Sequence, residues 1–465
     1  MRNASNAHKS CEKPKVTNKV PVSELCSFNF TEWENFTYNN AEDLENFCNE
    51  HGTNGNYLID KAVPNKILVH KDKVFVAMNR VVGVYSTLNY FSMSDITSDK
   101  VCPKLKCYPN CEVNTLATYR VCPKAKYYLT NVVDMQISKC GVLWVLDSGH
   151  YDDESGRFGS VEMQEPCLCQ YNLSAAAGEN PFMACWLFPE DFYNERNVMG
   201  YQSFVVNCAS GCDDCFIYVF NSLDGKILVF SLKTEYMWTY EGIKLSPEPD
   251  DAVFEVTLPD YTKHSYVALL GAAGIIDGSK LHFAKRPGKE LYSIPYAVLE
   301  DPDNSVLKGF DNNIKIVGCL NEKGQLNSMV ASDDVVFGAQ EQNHAIVCYN
   351  KKSHVSSDDV QLIVQDRSKY PYIASVCLNS DKPGDSQVYF LSNNLFDIQK
   401  NGLNQKTKNF RIFYFNVKEV QQLYPDCKGY FKDLDMKFVL PSPHMDAKKF
   451  YETVNAQKKA ACNSD

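Results

Sequence analysis

Six apolar strands of this 465-residue chain end in polar side chains, and those ends are where chemistry could gather. Asn79 closes the strand at 74–78, Asp147 and Ser148 the one at 142–146, and Asn221 and Ser222 the one at 216–220. Lys285 closes 280–284, Gln340 and Glu341 close 335–339, and Asn393 and Asn394 close 388–392. Carboxylate and amide oxygens that converge in this way can hold a small polar ligand or a hard cation such as calcium. Taken singly, each such group equally well caps its strand and starts a turn. Only Asp147 and Glu341 among them are acidic, thin provision for calcium, so no metal site is expected. Glu341 or Asp147, with aromatic faces such as Trp144 or Tyr218, could still hold an organic cation. His150 could act as an acid or base, but a single loop histidine is expected at the surface. No spacing identifies a catalytic pair of carboxylates. The phosphate-loop, zinc-protease, nucleophile-elbow and dinucleotide motifs are absent, so neither a catalytic set nor a cofactor is expected.

The elements that must position these groups recur along the chain. The six apolar strands are about 53 to about 74 residues apart, near the period of propeller repeats with enlarged loops. A further apolar segment precedes each across a turn, as at 132–137 and 203–206, and most have a partner after them, as at 227–232, 291–295, 345–349 and 410–415. Repeated antiparallel meanders rich in β-branched and aromatic residues, with almost no helical period, predict an all-β six-bladed β-propeller. The expected organisation is an N-terminal arm at 1–25, the propeller at 26–416, and a C-terminal extension at 417–465. That extension carries helical patterns at 418–423 and 447–461, the second Lys-rich and expected to lie on the surface, stapled through Cys427 or Cys462.

The 19 cysteines imply an oxidising compartment and several disulfides, with at least one cysteine left over. Cys208-Ala-Ser-Gly-Cys212-Asp-Asp-Cys215 has spacings that could wrap zinc, but without matching histidines a disulfide turn is the expected reading. Sequons at Asn3, Asn29, Asn35 and Asn172 agree with a secreted glycoprotein. The first residues show no apolar signal core, so the expected form is a mature chain with an added initiator Met. A net charge of −10, with no dense basic cluster, excludes nucleic-acid binding by counterion release. The longest apolar run, at 266–276, is about 11 residues, short of the roughly 20 that a membrane helix needs. No membrane insertion is expected.

The run Cys140-Gly141-Val142-Leu143-Trp144-Val145-Leu146-Asp147-Ser148-Gly149 closely resembles the signature of the yellow and major royal jelly protein family of insects. Supporting matches occur in order along the chain: Asn79-Arg80 with Gly83-Val84, Tyr108-Pro109, Leu291-Tyr292-Ser293-Ile294-Pro295, Ala345-Ile346-Val347-Cys348-Tyr349-Asn350, Leu391-Ser392-Asn393-Asn394, and Asn409-Phe410-Arg411-Ile412. The cysteine count and the tail beyond Asn416 mark a divergent branch. The resemblance implies a secreted six-bladed propeller and one of three functions: a binder of biogenic amines, a dopachrome-converting enzyme of melanin synthesis, or an abundant nutritive glycoprotein that oligomerises. Carried over by position, Asn393 matches the amide that hydrogen-bonds an amine. Leu395 stands where an aromatic would stack, with Phe396 beside it. The expected function is sequestration or carriage of an aromatic or cationic small molecule (an amine, an indole or catechol derivative, or a pigment) in the central channel. The residues expected to contact it are Asn393, Asn394, Phe396, Glu341, Asp147 and Asn221. A homo-oligomer is a possible further assembly, through the tail or an unpaired cysteine.

Overall fold

The computed structural model describes residues 29–33, 37–38 and 61–427, with interruptions at 82, 97–102, 115–126, 153–159, 163, 177, 193–200, 222–223, 247, 259, 268–270, 307–309, 321–323, 352–354, 356–358, 380–385, 405 and 425–426. The arm at 1–25, Asn3, Asn35, Ser222, the pattern at 447–461, and Cys11, Cys26, Cys48, Cys102, Cys122 and Cys462 lie outside the described residues.

Six sheets stand around an axis as a β-propeller, all antiparallel except for the parallel pairing of Thr37–Tyr38 along Lys104–Leu105 at the outer edge of the first. Counted in chain order, the inner strands of blades 1 to 6 are Pro64–His70, Val132–Ile137, Tyr201–Asn207, Gly271–Asp277, Leu326–Ser332 and Tyr372–Asn379. Each touches the next, and blade 6 touches blade 1, so the ring is closed. The second strands are Lys73–Met78, Val142–Asp147, Phe216–Asn221, Lys280–Arg286, Val335–Gln340 and Gln387–Asn393. These are the apolar repeats legible in the sequence. They stand out because each has a strand on both sides and a neighbouring blade on both faces, so nearly every residue is buried and alternation disappears.

The hydrophobic core is divided into the spaces between blades. Trp144, Leu146, Phe204, Ile217 and Phe230 fill the space between blades 2 and 3. Val205, Tyr218, Phe283 and Tyr292 fill the space between blades 3 and 4, and Phe337, Ile346, Phe390 and Phe413 the one between blades 5 and 6. Blade 6 is completed by the N-terminal strand Asn29–Trp33, which pairs along Phe410–Asn416 from Asn29↔Tyr414 to Trp33↔Phe410. The last blade is thus built from both ends of the described chain.

Five disulfides are present among the described residues: Cys107–Cys111, Cys140–Cys212, Cys169–Cys185, Cys208–Cys215 and Cys348–Cys427. Cys208–Cys215 therefore closes a disulfide turn, in keeping with its spacing, whereas Cys212 bonds Cys140, 72 residues earlier in the chain. Cys348–Cys427 staples the chain just beyond the helix Val417–Leu423 to blade 5. Cys167 and Cys377 are buried thiols.

One irregularity repeats around the ring. In blades 1, 2, 3, 5 and 6 the pairing of the inner strand with the second strand slips near its start, at Pro64/Lys66, Val132/Asp134, Tyr201/Ser203, Leu326/Ser328 and Ile373/Ser375. Such bulges bend a strand and re-aim the residue beside them. In these blades the residue after the slip is polar: Lys66, Asp134, Ser203, Ser328 or Ser375. Blade 4 pairs without a slip and begins Gly271-Ala272-Ala273-Gly274 instead.

Candidate functional site

The inner strand of each blade is hydrogen-bonded along one side only, which leaves its other edge facing the axis. An unpaired strand edge inside a protein must find partners for its N–H and C=O groups. The residues at and beside the bulges supply them. Asp134 accepts from the backbone N–H of Phe204 in blade 3 (3.1 Å), and Gln136 accepts from the N–H of Val206 (3.3 Å) while donating to the carbonyl of Phe204. Ser203 Oγ donates to the carbonyl of Ala272 in blade 4 (2.5 Å). Asn327 donates to the carbonyls of Ile373 (2.7 Å) and Ala374 (3.1 Å) in blade 6, and Ser328 Oγ accepts from the N–H of Val376 (3.1 Å). Ser375 Oγ accepts from the N–H of Ile67 in blade 1 (3.3 Å), and Lys66 reaches Asp134 (3.5 Å). Blade 4, which lacks a polar bulge residue, is joined to blade 5 by Arg286 from its second strand, whose Nη1 donates to Asn327 Oδ1 (2.5 Å).

Inside this ring lies a cavity of about 530 Å³, walled by the inner strands and the turn at Ser138, Lys139 and Gly141. Its walls mix apolar side chains such as Met135, Ile137, Val205, Met329 and Leu378 with the polar bulge residues. Lys66, His70, Lys139 and Asp134 are the charged and titratable groups that carry the electrostatics of the lining. Burial pushes the Asp134 carboxyl above its ordinary range, against the opposing pull of Lys66 and of N–H bonds from Phe204 and Met135.

Asn327 connects this cavity to a buried polar cluster at the end of the channel where the inner strands begin. Arg286 Nη2 lies 2.5 Å from Glu341 Oε2, with both side chains almost wholly buried. The second oxygen of Glu341 has no hydrogen-bond partner among the described residues. Tyr372 accepts from Asn327 Nδ2 (3.2 Å) and packs edge-on against Phe396 (5.3 Å). Phe396 is roofed by Tyr266 (4.4 Å) and Phe254 (6.3 Å), from the hairpin of strands Val253–Thr257 and Lys263–Val267 inserted between blades 3 and 4.

The six residues expected at the ligand all sit at the ends of second strands or just beyond, one strand back from the channel wall. Glu341 and Phe396 are brought into one cluster. Asn393 is buried and donates to the carbonyl of Pro64 (2.9 Å), tying blade 6 to blade 1, while accepting from the N–H of Leu395 (2.9 Å). Asn394 donates to Asn409 Oδ1 (3.2 Å). Asp147 is fully buried and accepts from the N–H groups of Thr130 (2.6 Å), Asn131 (2.9 Å) and Gly149 (2.7 Å). Burial raises its carboxyl against those bonds and the nearby Arg80. Asn221 is buried and accepts from the N–H of Asp224 (3.3 Å). His150 is not the surface residue expected: it is 3% exposed, with Nδ1 2.9 Å from the carbonyl of Ser148. Asn172 is exposed at the end of its strand, and Asn29 lies in the strand that closes blade 6.

The residues of the channel wall, Lys66, Asp134, Gln136, Ser203, Asn327, Ser328 and Ser375, are not singled out by the sequence. Their signal is a polar residue near the start of the strand preceding five of the six apolar repeats, faint because the residue type changes from blade to blade.

The family model described as "Major royal jelly protein" matches residues 130–424. Over 387 residues the chain is 19% identical to L-dopachrome tautomerase yellow-f of Drosophila melanogaster, covering 79% of this chain and 82% of that one. It is 22% identical to the yellow-related salivary protein LJM111 of Lutzomyia longipalpis, covering 63% and 71%. It is 24% identical to protein yellow of Drosophila subobscura, covering 77% and 60%.

Proposed function

The chain belongs to the major royal jelly protein family, and from that premise we propose that it is a secreted propeller that sequesters or carries a small aromatic or cationic molecule in its central channel. One observation carries this reading: the cavity of about 530 Å³ on the axis, within the size range of small-molecule sites and walled by apolar and polar groups together. Five disulfides support an extracellular setting, as do the salivary relatives. Affinity would come from burial against Met135, Val205 and Met329, and orientation from the polar bulge residues.

A second reading, a tautomerase, is favoured by the yellow-f relative and by Asp134, a channel carboxylate whose proton affinity is raised by burial. Tautomerisation moves one proton from carbon to oxygen, and a carboxylate of raised basicity is suited to take it.

Calorimetric titration of the full chain with serotonin, dopamine, histamine and indole derivatives, with dopachrome decay followed on the same sample, separates these readings. The expected result is saturable heat at one ligand per chain without dopachrome turnover. Dopachrome loss abolished by Asp134→Asn would establish the enzyme. Silence in both assays would remove both.

A further inference from the structure

The channel presents an ammonium, that of Lys66, inside a protein of negative overall charge. The chain as a whole carries −10. The lining pairs Lys66 with the carboxylate of Asp134, and the exposed Lys139 stands at its border. We infer that the channel ligand carries an anionic group, a carboxylate on a small apolar or aromatic body, and that Lys66 receives it. This rests on the channel-binding reading above and narrows it.

The hydrogen-bond inventory decides which member of the Lys66–Asp134 pair is presented to a ligand. Asp134 accepts from the N–H groups of Met135 (2.9 Å) and Phe204 (3.1 Å) as well as facing Lys66, so its oxygens are largely spoken for. Lys66 has three ammonium hydrogens, and among the described residues Asp134, at 3.5 Å, is its only side-chain partner. Its side chain is also the more accessible of the two, 17% against 9%. A partly buried ammonium with donors to spare is a receptor for an anion, because a charge-assisted hydrogen bond is roughly twice as strong as a neutral one. Lys139, exposed at the turn that borders the cavity, spends one donor on the carbonyl of Ala209 (3.2 Å) and adds a positive charge at that border.

The wall opposite Lys66 is lined by the small residues Ala272, Ala273 and Gly274. Blade 4 stands across the axis from blade 1 in a six-membered ring, and its inner strand begins Gly271-Ala272-Ala273-Gly274 with no bulge and no polar side chain. An anion paired with Lys66 would therefore project its apolar body toward a wall of small residues.

A matched series on one ring system tests the sign of the charge. Indole-3-acetate, tryptamine and 3-methylindole share the indole and differ in carrying an acid, an amine or neither. Titrated into the full-length protein, the acid is expected to bind at least tenfold more tightly than the amine and to weaken as salt is raised. Lys66→Met is expected to lower acid affinity by about tenfold while leaving 3-methylindole unchanged, and Lys66→Arg to retain the acid. An amine that binds as well as or better than the acid would overturn the inference and leave the channel-binding reading standing. Binding of all three with equal affinity would do the same. Saturable binding by none of the three would overturn the inference together with the reading on which it rests.

Discussion

Arg80 shows how much a single side chain can organise in this protein. The residue is 2% exposed, and its guanidinium faces a set of backbone carbonyls. It donates to Thr130 (3.0 Å), Val84 (3.0 Å), Asn114 (2.5 Å), Leu129 (3.2 Å) and Tyr85, and so gathers three loop segments beside blade 1. The planar fork supplies five donors in fixed directions, and a lysine ammonium supplies three from one point. Arg80→Lys keeps the charge but strands buried carbonyls, each costing about 1–3 kcal/mol. The variant is expected to lose roughly 2–4 kcal/mol of stability, read as a lower urea midpoint at unchanged slope. Asn79-Arg80 is legible as part of a family pattern, but nothing in the sequence distinguishes an arginine that clamps carbonyls from one that binds a ligand. Asp147 makes the same point. Its place at the end of an apolar strand reads as a binding carboxylate, yet its oxygens meet three backbone N–H groups.

At the scale of elements, the second strands are legible in the sequence throughout, and the inner strands only as apolar segments, as at 132–137 and 203–206, with the channel-facing residues hidden among them, for a physical reason. A strand covered on all sides becomes a continuous apolar run such as Val335–Gln340, which any hydrophobicity pattern detects. An inner strand has one free edge and a bulge, so its pattern is broken by the residues that matter most for the channel. Because those residues stitch backbone edges across blades, their loss should be felt locally. Ser328→Ala leaves the N–H of Val376 without its 3.1 Å acceptor, at an expected cost of about 1–2 kcal/mol. Hydrogen exchange at the Val376 amide is expected to speed up, with amides in blade 2 unchanged. Uniform acceleration across the protein would show that the contact acts on global stability alone.

For the whole molecule, the blade count follows from six repeats in the sequence, whereas the closure does not. Asn29–Trp33 is a short polar and aromatic segment with no repeat before it, and only the structure shows it as the outer strand of blade 6. Removing residues through Trp33 would bare the edge of Phe410–Asn416 and open the sheet to other chains. The truncated protein is expected to melt several degrees lower and to self-associate as its concentration rises, measured by sedimentation velocity. A monomer with unchanged melting would show that the inner ring alone closes the molecule.

The joining of first strand to last blade also sets an order in time. Phe410 follows Trp33 by 377 positions in the chain. At a synthesis rate of about 5–20 residues per second, the early strand would wait roughly 20–75 s for its partner to be made. Short-range cystine links such as Cys107–Cys111 and Cys208–Cys215 can close during that interval, while blade 6 must be the last to assemble. Until then the nascent chain carries two unmatched strand edges, and a chaperone that shields the first would act on this protein more than on one whose neighbours in sequence are its neighbours in space.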